Sequence, residues 1–582
     1  MAEYKIPLED IEKFLIGHDD EKYIVNVEYD SETNLIHKIK QDPDKGNYIE
    51  TEPLMAFMWI KNLNKIKELV NFYGNSDSRI RSARQKFGID IISLETGDHP
   101  KLVNGYKYLV TCSQGHKRMM DFFREGGIYI YDTRHDIKSH FLILNPVEQY
   151  FIHTGKRLFK GFEEYDDIHK FVFDLETTGL DPEINRIFLI GIYTNKGDKQ
   201  IIPIEDNDDS EREAITKFFE VINQIKPTII AGYNSANFDW DFFFVRCKKL
   251  GINIQDIAIT LKPGELINTK PSMLKLGNEV EDYTQVNMFG YSIIDIIHSA
   301  RRAQAIDSSM KSVGLKYVCQ YNKIAKKNRV YIVGDKIGKY WYSEDKFYFD
   351  DRDGKYTFTK PTIEFMDNIT RDVVQQNPDK FFVYDENETL EGFGQQSKEL
   401  RGEPNTIAII TKKNQYNEVD SFFNDNDLEG NKVKINACIR EIIQKLKEGK
   451  TVVFPVEVPG NGESKLSEKA PKTHEFLMLT YKALRDYVNT IQEVDGKYIV
   501  ERYLIDDLWE TMEVDAVYNQ TSFMLAKLIP TTYQRVSTMG TAGLWKLLMM
   551  TYSFENNLAI PLSDIKRDYT GGLSRLFKVG FS

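Results

Sequence analysis

Residues 171–180 read FVFDLETTGL, and they set two carboxylates, Asp174 and Glu176, on an apolar run that breaks at Gly179. Alternate side chains of a strand point to the same side. Phe171, Phe173 and Leu175 therefore share the face expected to be buried, while Val172, Asp174 and Glu176 share the other. Two carboxylates held side by side repel each other. A divalent cation removes that repulsion, so the pattern points to a metal site. Asp-x-Glu is short, though, and it recurs as Asp209-Ser210-Glu211 inside EDNDDSERE, which reads as a solvated loop. Support has to come from the rest of the chain.

Downstream, Ile187–Tyr193 and Ile201–Ile204 are apolar runs around the turn cluster NKGDK, and with 171–180 they predict a β-meander. Ile215, Phe218, Phe219 and Ile222 have helical spacing, and Pro227 ends that helix. TIIAGYN then reads as a short buried strand. Phe238, Phe242, Val245 and Leu250 follow as a second helix closed by Gly251. Strands and helices alternating in this way predict a mixed α/β fold.

The 582 residues exceed one hydrophobic core and predict several domains. No run approaches the ~18 apolar residues of a membrane helix. The start, MAEYKIPLEDIEK, lacks the basic and apolar regions of a signal peptide. Cys112, Cys247, Cys319 and Cys438 are scattered without zinc or disulfide spacing, which fits reduced thiols in a cytoplasmic compartment. A net charge of -12 argues against a simple basic nucleic-acid coat, but not against an enzyme that confines its positive charge. The basic residues Lys311, Lys316, Lys323, Lys326, Lys327 and Arg329 read as a solvated face.

Two further places carry chemistry. The second strand-to-helix junction holds Asn234, Phe238 and Asp239, and sites collect where the strands of an α/β sheet end. Asp239 also suits a helix cap. Farther on, ERYLIDDLWETM has Leu504, Leu508 and Met512 as a helical stripe, with Tyr503 and Asp507 one turn apart on another face.

In that order, FDLETTG, GYNSANFD and YLIDD resemble the three exonuclease motifs of family B DNA polymerases, in the subtype that carries a tyrosine. LILNPVEQYFIHTGKRLFKGF is similar to the segment that precedes the exonuclease in viral and phage members. DYTGGLSRLFKVG resembles the Tyr-x-Gly-Gly motif, here Tyr569, Gly571 and Gly572. The resemblance implies a ribonuclease H-like exonuclease domain, with an α+β N-terminal domain at 1–163. The exonuclease would occupy 164–322 and 497–550, interrupted by an insertion at 323–496, with a connector at 551–582. The insertion contains DKFYFDDRDGKYTF, where Asp353-Gly354 predicts a β-hairpin. That hairpin is either a strand-separating device or a decoration of the insert. GNGESKLSEKAPKTH, at 460–474, reads as a mobile loop.

The resemblance further implies that Asp174, Glu176, Asp239 and Asp507 hold two Mg²⁺ ions, with Mn²⁺ as a substitute, for 3′→5′ hydrolysis of DNA. Tyr503 would orient the attacking water. Asn234, Phe238 and Thr177 would hold the terminal nucleotide, with Tyr569, Gly571 and Gly572 as further DNA contacts. The implied substrates are single-stranded 3′ ends and primer–template DNA. The family's polymerase motifs, a Ser-Leu-Tyr-Pro-like run and an Asp-Thr-Asp turn, do not occur before Ser582. A second chain carrying palm, fingers and thumb is the expected partner, and no membrane. The alternatives are a free-standing exonuclease and a catalytically silent DNA-binding module.

Overall fold

In the computed structural model, which describes residues 14–42, 46–61, 85–98, 100–125, 140–276, 279–392 and 394–561, the opening stretch forms the strand Lys170–Thr177. It is the centre of a five-stranded mixed sheet. Ile187–Thr194 and Lys199–Pro203 flank it on one side as an antiparallel meander; Ile229–Gly232 and Ser292–Asp295 flank it on the other, parallel to it. The helices Asp208–Ile225 and Asp239–Lys249 cover one face, where Phe171, Phe173, Phe218, Trp240 and Phe243 pack together. Val172 is as buried as Phe171, which corrects the expectation of one buried face: the sheet is covered on both sides.

Local chemistry explains the element ends. Asn207 caps Asp208–Ile225 through Ser210 N–H, and Asp208, Asp209 and Glu211 fill its positive first turn. The helix ends at Lys226, in a left-handed conformation, before Pro227. The reading of Asp209-Ser210-Glu211 as a solvated loop is therefore overturned. Glu211 is fully buried, bonded bidentately to Arg246 at 2.7 and 2.8 Å, and accepts Ile187 N–H. A bidentate guanidinium partner is what allows that carboxylate to be buried.

The chain divides into two compact units, residues 1–324 with 508–582, and residues 325–507. Besides the five-stranded sheet, the first unit holds two N-terminal antiparallel sheets, of three strands spanning 24–53 and of four strands spanning 56–142. The long strands Asn268–Leu276 and Glu279–Asn287 pair antiparallel, residue for residue. Sequence reading missed this pair, although its alternating pattern around Gly277-Asn278 carries the signal.

In the second unit a four-stranded parallel sheet has the order Thr362–Met366, Thr451–Pro455, Lys380–Asn387, Thr406–Lys412. The helices Leu428–Lys447 and Pro471–Asn489 pack their apolar stripes on one face. Arg371–Gln376 and Gln395–Leu400 lie near the smaller core of the other. The Asp353-Gly354 turn does join a hairpin, Lys346–Asp350 with Lys355–Thr357, and Gln492–Asp495 adds a third strand to it. The loop expected at 460–474 is largely ordered: Leu466–Lys469 is a helical turn, Pro471 starts a long helix, and Leu466 and Ala470 are fully buried.

The helix Gly496–Ala526 is continuous. In its second half Asp515 accepts the Tyr165 hydroxyl at 3.1 Å and the Asn519 amide at 2.7 Å, and it faces the Lys170 ammonium at 3.5 Å. Tyr533 extends this chain to Tyr165, and Ser299 extends it to Asn519. Every member is buried, so the network fixes the helix against the start of the central strand. Among the described residues, no helix is long and apolar enough to cross a membrane.

Asp515→Ala leaves a buried ammonium, a hydroxyl and an amide without their shared acceptor, and is expected to cost about 3–5 kcal/mol. Lys170 also pairs with Asp166, whose side chain is 73% exposed, so Asp166→Ala should cost about 1 kcal/mol or less. Urea unfolding of the two variants beside the parent checks this, and equal losses contradict it.

Candidate functional site

Asp174 and Glu176 leave the central strand on one face, each with a carboxylate oxygen, and these oxygens lie within 4.8 Å of one another. Asp174 is half-buried and Glu176 is 8% exposed. Two anions this close, with little water, need cationic compensation.

Asp239 reaches the same strand from the neighbouring junction. Ile229–Gly232 pairs with Lys170–Val172 and then stops, so the later N–H groups on that side lack a strand partner. Asp239 takes one of them: its Oδ1 accepts Leu175 N–H at 3.1 Å, between Asp174 and Glu176 in sequence. It is the first residue of its helix, with Phe238 at the capping position, so the helix-cap reading of Asp239 gives way to this longer-range bond. Burial pushes its carboxyl up to about 7, and neighbouring Asp295 adds to the shift.

Asp295, which sequence reading did not single out, holds the junction in shape. Its Oδ1 accepts Asn234 N–H at 2.8 Å and Ile297 N–H at 3.1 Å, and its Oδ2 accepts Ala236 N–H at 2.9 Å. One carboxylate thus caps the helix Ile296–Ile306 and ties down the turn that carries Asn234. Burial pushes it up to about 6 against the lowering effect of these three bonds. The turn is tight: Asn234 is left-handed at φ 64°, and a Cβ on Gly232 would sit 2.6 Å from that of Ser235. The available signal was an Asp closing a short apolar strand before a helical run.

The other expected residues are distributed as follows. Phe238 is half-buried, its ring 4.9 Å from that of Phe242. The Thr177 hydroxyl is turned to the Gly179 carbonyl at 2.7 Å, a local turn bond. Tyr503 and Asp507 lie one turn apart on Gly496–Ala526, 6% exposed each. Asp507 forms an ion pair with buried Arg329, whose guanidinium lies 5.3 Å from the Tyr503 ring centre. Arg329 is 2% exposed, which removes it from the solvated basic face expected of it. Tyr569, Gly571 and Gly572 lie outside the described residues.

If Asp295 shapes the Asn234 turn, Asp295→Asn, which replaces one acceptor oxygen by a donor amide, should expose the Asn234 and Ala236 amides. Hydrogen exchange there should accelerate by tenfold or more, about the equivalent of one lost charged hydrogen bond. Unchanged protection would assign the turn's shape to its other contacts.

Residues 158–318 match the family described as DNA polymerase family B, exonuclease domain. Residues 364–480 match a second family, described only as of unknown function. A DNA polymerase 2 of Aeropyrum pernix is 25% identical over 167 residues, 28% of this chain and 18% of that protein. A DNA polymerase of Pyrococcus glycovorans is 30% identical over 164 residues, 27% of this chain and 19% of that one. These matches span about a fifth of either relative's length. The solved family B DNA polymerase of Pyrobaculum calidifontis aligns with 94% of this chain and 52% of its own, at 11% identity and a TM-score of 0.49. Residues 158–318, which contain the five-stranded mixed sheet, are thus similar to the exonuclease domain of family B DNA polymerases.

Proposed function

We propose that the protein removes nucleotides from DNA 3′ ends as the proofreading part of a replicative polymerase. The observation that carries this reading is the juxtaposition of Asp174 and Glu176 at the end of the central strand, with Asp239 bonded to the backbone between them, inside the matched exonuclease segment.

The donor set is all carboxylate oxygen, which suits Mg²⁺ or Mn²⁺. Asp174, Glu176, Asp239 and Asp507 would hold two such ions. Asp507 is included on the order of the three motifs. When bound, a pair of divalent ions lowers the cost of forming hydroxide and of releasing an alkoxide. The protein's own groups do the rest. Asn234 and Phe238 sit on the turn that Asp295 fixes, and would clamp the terminal nucleotide by polar and ring contacts that ignore base identity. The Tyr503 hydroxyl would orient the water in line with the scissile phosphorus. The water oxygen bonds to phosphorus, the bond to the 3′ oxygen breaks, and a proton is transferred to that oxygen. A mismatched end frays more cheaply than a paired one, so selectivity arises before the chemistry.

Neither a Ser-Leu-Tyr-Pro-like run nor an Asp-Thr-Asp turn occurs among these 582 residues. We further propose that templated synthesis is supplied by palm, fingers and thumb segments, with this protein as the editing component.

The test is Mg²⁺-dependent shortening of a 5′-labelled single strand, faster than shortening of the matched duplex. Asp174→Ala combined with Glu176→Ala should abolish it, because no other group on the strand replaces two ligands. Shortening at the parental rate would remove this site from the reaction.

Tyr503→Phe keeps the ring and loses the hydroxyl. Its expected signature is an unchanged Mn²⁺ affinity with single-turnover hydrolysis slowed by ~10²-fold. A normal rate would make Tyr503 a packing residue only.

A further inference from the structure

Arg329 is an unusual neighbour for a metal ligand. Its guanidinium donates to Asp507 Oδ1 and to the Val330 carbonyl, and it faces the rings of Tyr331 and Tyr503 at 4.8 and 5.3 Å. The adjacent carboxylate is engaged by the same segment: Asp506 accepts Val330 N–H at 3.0 Å and Lys326 Nζ at 3.3 Å. Residues 326–330 thus neutralise both members of the Asp506-Asp507 pair. Burying a guanidinium is costly, and the Asp507 carboxylate offsets that cost. Unlike a lysine or histidine, an arginine cannot relieve its burial by losing a proton, so the charge beside Asp507 is permanent.

We propose that Arg329 makes ion binding at Asp507 conditional on DNA. The inference rests on the reading of Asp507 as a metal ligand. Without an ion, the guanidinium is the counter-ion that keeps Asp507 charged and ordered in a buried place. An incoming divalent cation must displace it from Oδ1 or bind beside it, and either arrangement is opposed by repulsion between the cations. A bound phosphodiester brings the negative charge that offsets this repulsion. Ion and substrate therefore assist each other, and the ion-free protein does not collect metal at full strength before a 3′ end arrives. Arg329 is a positioning and charge-setting residue; it takes no part in bond making.

The experiment is calorimetric titration of Mn²⁺ into the full chain, alone and with a single-stranded tetrathymidylate carrying a 3′-terminal phosphorothioate linkage. A second oligonucleotide carries a neutral methylphosphonate at that linkage. In the parent, Mn²⁺ should bind about tenfold more tightly with the charged oligonucleotide and not with the neutral one. Arg329→Gln and Arg329→Met should bind Mn²⁺ about tenfold more tightly than the parent without any DNA, and gain little when it is added. Parental or weaker affinity in these variants, or a parent indifferent to the oligonucleotides, overturns the proposal. If both variants are unfolded in the absence of ions, millimolar Mn²⁺ should restore the parental circular dichroism, and failure to do so also overturns it. Asp507→Asn in the parental background separates this idea from its premise. Unchanged Mn²⁺ stoichiometry there means that Asp507 is not a ligand, whatever Arg329 does.

Discussion

Parallel pairing of three short strands is the constraint from which the site follows. Ile229–Gly232 runs in register with Lys170–Val172 on one side and with Ser292–Asp295 on the other. Parallel strands end at the same edge, so the residues that follow each strand are brought together without any contact between their segments of sequence. Asp174 and Glu176 come from the first strand, Asn234 and Asp239 from the turn after the second, and Asp295 from the last residue of the third. The early end of the second strand matters as much as the pairing itself. It leaves Leu175 N–H to be claimed by Asp239, which ties that carboxylate to the backbone of the strand carrying the other two.

Burial of negative charge is the recurring cost in this fold, and each instance is met differently. Glu211 has a bidentate arginine. Asp295 has three backbone N–H groups, and Asp515 has a hydroxyl, an amide and an ammonium. Glu28, whose carboxyl is pushed up to about 7 mainly by burial, is held by Asn26 and Gly290 N–H. Asp174 and Glu176 are instead held close to each other, with carboxylate oxygens within 4.8 Å, and under the proposed function a divalent cation would relieve their repulsion. What sets these carboxylates apart is their surroundings, because the residue types are the same.

The second unit stands as a domain by its own physics. A parallel sheet with helices on both faces buries its strands completely, and Val383, Ile407, Ile409, Val452 and Phe454 are all within 2% of full burial. Its segment 364–480 matches a family separate from the one matched by residues 158–318, consistent with an independently folding piece.

The sequence by itself determined the strands and helices around the site, because their signals are local. Examples are period-two alternation at 171–176, helical spacing at 215–222, the Pro227 stop, the Asp353-Gly354 turn and the Tyr503–Asp507 spacing. It also determined which chemistry to look for, through three motifs in fixed order. Tertiary structure decided how particular side chains are used. Asp239 accepts a backbone proton 64 residues away, Asp295 holds a turn 59 and 61 residues away, and Arg329 meets Asp507 across 178. Glu211 shows the same limit in reverse, read as solvent-exposed and found buried. A carboxylate's role depends on its desolvation and on the donors within about 3 Å. Those donors are supplied by strand register and helix packing between distant segments, which short sequence patterns do not encode.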